Sequence, residues 1–435
     1  MRITKKTTAA AAVAATAALA LAACGGGDGG GTAGGDGDKP AELTVAAWTD
    51  IPESLYDAFE EEYGIKVVQN SFPDGASAQQ VLRNGLGSGG AGLMDVHLIE
   101  GSWWTEMMAV PEDWATLPEV PGRWVDWNVE AATVDGEIKG YGTDIGPTAI
   151  AYDSGLLAQA GLPSEPEEFI EFVGGADATW DTFIAAGQQF TEATGKPWID
   201  SWRMAAESAF TKIRPGAFED PETGNALPLA ENTKVKELFM RFAEAAQAQL
   251  SAGVPIGNAD WRAGYQSQQW ATVVAPAWVT GSIVENAAGI DTWRIAEVFP
   301  DGGANVGGSF FAVPATGKNV EWSIKLADFL TSPESAVAIF EGYGAFPSQV
   351  EALSSPEVAD TENAFFGGQR VGQIYGNLAE AADEFVAGGY RGMNFWGIQT
   401  VVIDAIGRVE DGAQTPEQAW ESAVKEFDAL GLTTD

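Results

Sequence analysis

From Leu43 onward the spacing of apolar residues switches repeatedly between the period of a strand and that of a helix, and nothing else constrains the fold as strongly. Leu43–Trp48 alternates, with Leu43, Val45 and Ala47 on one face. Pro52–Tyr63 repeats at helical spacing through Leu55, Phe59 and Tyr63, and Gly64 ends it. Ile65–Val68 reads as the next strand, Gln79–Leu86 as a helix and Met94–Ile99 as a third strand. Strands joined through helices pair in parallel, because the helix carries the chain back to the end of the sheet where it began. The segment therefore predicts an α/β fold, with parallel-rich sheets and helices on both faces.

The alternation continues. Ile150–Tyr152, Ala271–Ala275 and Arg294–Phe299 read as strands. Pro166–Phe172, Thr179–Thr194, Val320–Leu330 and Thr415–Leu430 read as helices, and Ser332-Pro333 is a clean helix start. Asn232–Ser251 carries the clearest stripe, through Val235, Leu238, Phe239, Phe242, Ala246 and Leu250, with Gly253 as its stop. A chain of 435 residues is long enough for two domains with separate cores.

The N-terminus reads as a targeting signal. Arg2, Lys5 and Lys6 precede an uncharged, alanine-rich run to residue 23, the layout of a secretory signal peptide. The run is short and alanine-rich for a membrane span. It ends Leu21-Ala22-Ala23-Cys24-Gly25, which resembles the lipobox of bacterial lipoproteins. That resemblance implies a signal peptide at 1–23 and a diacylglycerol on Cys24, holding the protein at the outer face of the cell membrane. The other reading is an ordinary signal peptide with Cys24 incidental. Residues 24–40 would be the lipidated cysteine and a glycine-rich tether, too poor in apolar residues to form a core.

The formal net charge is −39, from 23 basic and 62 acidic side chains. Such a surface repels nucleic acid and anionic headgroups. Cys24 is the only cysteine and His97 the only histidine, so an internal disulfide, the usual zinc sites and a Ser-His-Asp triad all lack their residues. His97 stands in the apolar run Met94–Ile99 and reads as structural. There is no phosphate-binding G-x-x-x-x-G-K-[ST], no G-x-S-x-G and no H-E-x-x-H. No cofactor is implied, and ATP hydrolysis falls to another chain.

Several segments in order resemble the extracellular sugar-binding proteins of ABC importers, the family of maltose- and cellobiose-binding lipoproteins. They are Gly136-Glu137-Ile138-Lys139-Gly140-Tyr141-Gly142 with Asp144-Ile145-Gly146-Pro147, Thr179-Trp180-Asp181-Thr182-Phe183, Ala275-Pro276-Ala277-Trp278-Val279-Thr280-Gly281, Gly307-Gly308-Ser309-Phe310-Phe311-Ala312-Val313-Pro314 and Phe365-Phe366-Gly367-Gly368-Gln369. The resemblance implies a two-lobe periplasmic-binding-protein-like fold with the ligand cleft between the lobes. By analogy, lobe one spans 41–147 plus 303–343 and lobe two 148–302 plus 344–435. It implies closure about hinge segments, a membrane permease and its ATPase as partners, a monomer, and binding without catalysis.

A sugar presents hydroxyls at its edge and C–H groups on its faces, so its site needs carboxylates or amides and flat aromatics. Asp144 is the leading edge residue, the alternative being a turn-forming aspartate. Trp278, between a strand-like and a helical run, is the leading stacking residue, the alternative being a core tryptophan. Gly308 and Ser309 either let backbone approach ligand or begin a strand with a tight turn. Trp48 and Asp50 follow the first strand, and Glu100 the third, at the carboxyl ends where such sheets open onto their clefts. Asp50 has a helix-capping alternative and Glu100 that of a solvated loop. Trp103, Trp104, Trp202, Trp261 and Trp396 are outlying candidates. Three other readings compete: a binder of the same fold for peptide or polyamine, an extracellular glycosidase with two opposed carboxylates, and a structural adhesin.

Overall fold

The computed structural model describes residues 39–386 and 391–433. The signal segment 1–23, Cys24 and the tether to residue 38 lie outside the described residues. Among those described, the strands are β1 (Glu42–Ala47), β2 (Lys66–Ser71), β3 (Val96–Glu100), β4 (Thr133–Val134), β5 (Glu137–Ile138), β6 (Tyr141–Ile145), β7 (Thr148–Asp153), β8 (Thr272–Pro276), β9 (Trp293–Ala296), β10 (Ser309–Ala312) and β11 (Phe346–Pro347).

Six strands form a sheet in the order β11-β6-β10-β3-β1-β2, and three form a second in the order β8-β7-β9. β1 pairs in parallel with β2 and β3, as the helical crossovers Glu53–Tyr63 and Gly75–Gly87 require. β10, β6 and β11 join antiparallel, and the second sheet is antiparallel throughout. The expected parallel character is thus confined to β1–β3, and the sheets are mixed. β6 and β10 lie next to passages between the two sheets, not between local crossover helices. β10 enters the sheet from its other end and runs against β3, whereas β6, antiparallel to β10, runs in the same direction as β3.

The second sheet is buried on both faces. Ile150 and Tyr152 of β7 face one core cluster, and Ala149 and Ala151 face another, as a period of two dictates. In the first sheet Leu43, Val45, Ala47 and Phe311 line one cluster, while Ile99, Phe310 and Ala312 belong to another. The stripe of 232–251 forms the helix Thr233–Gln247, capped by the Asn232 side chain. Its buried Val235, Phe239 and Phe242 contribute roughly 1.5–3 kcal/mol each. The helix stops short of Ser251. Gln249 turns left-handed at φ 59°, and the Leu250 carbonyl then accepts from the Trp198 and Ile199 amides. Pairing to a distant segment wins over continuation of the helix.

The chain crosses between the sheets at Gly146–Pro147, and again between β9 and β10. These two passages run side by side. The Val306 amide donates to Gly146 O at 2.8 Å, and the Thr148 amide to Ala304 O at 3.0 Å. β11 pairs with β6, whereas the expected partition begins lobe two at 344. The Phe346 side chain nevertheless packs in the core beside Tyr375, so the third passage straddles β11. His97 is buried, and its Nε2 accepts from the Met94 amide at 3.0 Å.

Candidate functional site

Glu100, Ser309 and Asp144 share one rung of the larger sheet, on β3, β10 and β6. The Ser309 amide donates to Asp144 Oδ1 at 3.1 Å. The Thr143 hydroxyl lies 2.7 Å from the same oxygen and 3.0 Å from the Ser309 carbonyl. Gly308 precedes this rung at φ 93°, a conformation glycine adopts freely, and its carbonyl accepts from the Gly101 amide at 2.8 Å. Four of the sequence-predicted residues are therefore brought together.

Trp48, just beyond β1, is half-buried and tilts against buried Trp103 with ring centroids 5.7 Å apart. Trp278 begins the helix Val279–Asn286 after β8; it is half-buried, and its indole Nε1 donates to Val306 O at 3.1 Å. One edge of that ring is thus tied to the passage leading into β10. Asp50 stands exposed and does not cap the following helix, whose N-cap is Pro52 with no side-chain bond. Trp202 and Trp261 are buried in the cores.

Two charged residues that sequence reasoning missed face this rung. Glu207 lies on the helix Trp202–Phe210, and Arg391 precedes the helix Phe395–Glu410. Seven of the nine residues of the first helix are buried, so a carboxylate among them was the available signal. Arg391 had a weaker one, a single cation followed by glycine in an acidic chain. Its Nη2 donates to Asn305 O at 3.3 Å, and its own carbonyl accepts from the Thr105 hydroxyl at 2.9 Å. Buried Glu219 accepts from the Asn394 amide at 2.9 Å and fastens the turn behind it.

The charged groups at this rung share one electrostatic environment, in which burial is the leading influence. Burial pushes the Asp144 carboxyl up to about 6; the Thr143 and Ser309 bonds oppose this, and the Glu100 charge adds to it. Burial also raises Glu100, against the Ser102 hydroxyl bond and the Arg391 charge. Glu207 is raised to about 7 by burial and then by Glu100, with Arg391 opposing. Burial lowers Arg391, and both glutamates oppose it. All four side chains keep some accessible surface while protein surrounds them, as groups lining a cleft do. Among the described residues no group of three His, Cys, Asp or Glu side chains is placed to hold a metal ion. The carboxylates are close enough to perturb one another. What the arrangement offers is acceptors, one guanidinium and aromatic surface.

A two-lobe fold with such a polar cleft is that of a solute receptor. The chain belongs to the bacterial extracellular solute-binding protein family, whose pattern matches residues 54–366. It is similar to a crystallised extracellular solute-binding protein of family 1, with 31% identity, a TM-score of 0.78, and coverage of 90% of this chain and 99% of that one. It is also similar to the lactose-binding protein of Rhizobium radiobacter, 25% identical over 319 residues, which are 69% of this chain and 72% of that one. The binding protein of B. animalis subsp. lactis Bl-04, solved with β-1,6-galactobiose, shares the fold at 21% identity and a TM-score of 0.73, over 90% of this chain and 98% of that one. No helix among the described residues is long and apolar enough to cross a membrane.

Proposed function

We propose that this protein captures a di- or oligosaccharide outside the cytoplasm by hinge closure and delivers it to an ABC import permease. The observation that carries the reading is the rung of Glu100, Ser309 and Asp144, with half-buried Trp278 bonded to Val306 in the passage that leads into it and half-buried Trp48 just beyond β1. Carboxylates accept from ring hydroxyls, and indoles cover C–H faces. Sugar-binding relatives support it. Asp144, Glu100, Ser309 and the Gly308 backbone grip the edge, Trp278 and Trp48 cover the face, and Asp50 stands at the rim. Glu207 and Arg391 complete the polar set. The lobes meet at the paired passages near 146 and 305, where a few residues absorb the rotation. The receptor performs no catalysis, and a permease with its ATPase receives the ligand from the closed form.

Cys24 carries the lipid anchor in this reading, and Cys24→Ala releases the protein into the medium. Titration of the purified full chain with lactose, β-1,6-galactobiose, maltose, cellobiose and arabinobiose, followed by tryptophan emission, tests the function. A saturable change with one of them supports it. Silence across the panel with a response to a peptide or a polyamine replaces it with the other binder of this fold.

A further inference from the structure

Thr105 and Arg391 join the two lobes at a point that neither passage supplies. Thr105 sits on the short helix Trp104–Met107 just after β3. Arg391 leads into the helix Phe395–Glu410, whose Phe395 and Ile398 pack in a core cluster of the second sheet. The Thr105 hydroxyl donates to the Arg391 carbonyl at 2.9 Å, across 286 positions of the chain. The Arg391 side chain reaches the same lobe as Thr105. Its Nη2 donates to Asn305 O at 3.3 Å, and its Nη1 lies 4.0 Å from where a Cβ on Gly101 would stand, next to the rung.

Both ends of this contact are held from behind. Trp103, Trp104, Met107 and Met108 are buried in the cluster that includes Ile99 and Phe310, which leaves Thr105 exposed on a fixed turn. On the other side, buried Glu219 accepts from the Asn394 amide at 2.9 Å and from its side chain at 3.1 Å. A Cβ on Gly392 would overlap the same carboxylate, so the turn lies flat against it. The Arg391 guanidinium packs over the buried Phe395 ring, 5.8 Å from its centroid. Neither end can follow the other without carrying its lobe along. Such a bond is lost when its atoms move apart by about 1 Å, so rotation about the passages breaks it on opening and restores it on closing.

We propose that Thr105 and Arg391 form a clasp between the lobes, which favours the closed form and lengthens the stay of the ligand. The inference rests on the sugar-binding reading above for its ligand. Thr105 is a positioning residue that acts through Arg391. The test follows release of whichever of the disaccharides named above binds, by stopped-flow tryptophan emission on the purified full chain. Thr105→Val keeps the branched shape and removes the hydroxyl. Its release rate is expected to rise at least about threefold while association stays within about twofold of wild type, because the bond re-forms only after encounter. Thr105→Ser keeps the hydroxyl and is expected to restore slow release. A merely structural role lowers the melting temperature and leaves release unchanged, which overturns the clasp. Faster release that Thr105→Ser does not restore overturns it as well.

If none of the sugars binds, the sugar reading fails and the clasp is read without ligand. Spin labels at Glu61→Cys and Glu192→Cys, both exposed and one on each lobe, report the distance between the lobes in a Cys24→Ala chain. Thr105→Val is expected to move that distance distribution to longer separations. An unmoved distribution overturns the clasp.

Discussion

The Ser309 amide donates to Asp144 Oδ1 across 3.1 Å, tying together two residues 165 positions apart on neighbouring strands. Asp144 is therefore braced through one oxygen, and Oδ2 has no protein partner among the described residues. Asp144→Asn keeps the size of the side chain and removes its charge. Loss of a charged acceptor for a ligand hydroxyl is worth about 1.5–3 kcal/mol, so sugar affinity is expected to fall by at least tenfold, about 1.4 kcal/mol, in calorimetric titration.

Trp278 has its nitrogen committed to Val306 O and part of its ring accessible. Trp278→Ala is expected to weaken sugar binding by about 1–3 kcal/mol through lost contact area. Trp278→Phe, which keeps a flat face and drops the bond to Val306, is expected to recover part of that loss. Titration of the two variants separates stacking from the tie to the hinge passage.

Affinity is expected to depend on pH. Asp144 titrates near 6 and Glu207 near 7, both held up first by burial. Below those values each carboxyl is protonated and is a poorer acceptor for sugar hydroxyls. Raised Glu100 follows the same sign, and Arg391 stays charged throughout. Association constants measured at intervals from about pH 5 to about pH 8 should rise and then level off. Binding near pH 6–7 should release protons, visible as a buffer-dependent enthalpy.

Stability is expected to depend on pH in the opposite direction because of Asp200. It is buried, accepts from Trp261 Nε1 at 2.7 Å, and is pushed by burial from 3.8 up to about 8. The folded state holds this proton more tightly than the unfolded chain does. Folding therefore takes up a proton between about pH 4 and about pH 8, and stability falls as pH rises through that window. Melting temperatures across the window should decline in the wild type. Asp200→Asn should flatten the decline in part, leaving the contributions of Glu410, Glu207, Asp144 and Glu100, which are also raised.

Gly146 admits no side chain, because a Cβ there would overlap the Val306 carbonyl of the adjoining passage. Gly146→Ala should separate the two passages and lower stability by about 2–3 kcal/mol in denaturant unfolding. Gly87 ends a helix with open space around it. Gly87→Ala should stay within about 1 kcal/mol of wild type.

The sequence by itself determined most of the elements it named, though not every strand end: the run read to Phe299 stops as a strand at Ala296. Period-two runs at Leu43–Trp48 and Met94–Ile99 returned as β1 and β3, each within two residues, because local sterics and alternating burial set them. Strand ends open onto clefts, so Trp48 and Glu100 were legible one at a time, and Asp144 through the family resemblance at an expected crossing, all without their mutual geometry. The direction of the sheets was not legible, since β10 takes its direction from a passage between lobes and not from a local crossover. The helix Trp202–Phe210 was missed because burial on nearly every side leaves it no polar stripe to read. Glu207 and Arg391 are placed by different helices, and nothing in their local spacing announces that they meet the rung of Glu100, Ser309 and Asp144. Only tertiary structure decided that meeting. Apolar periodicity is a property of consecutive residues, whereas the charge balance of a cleft is a sum over groups that the chain brings together from far apart.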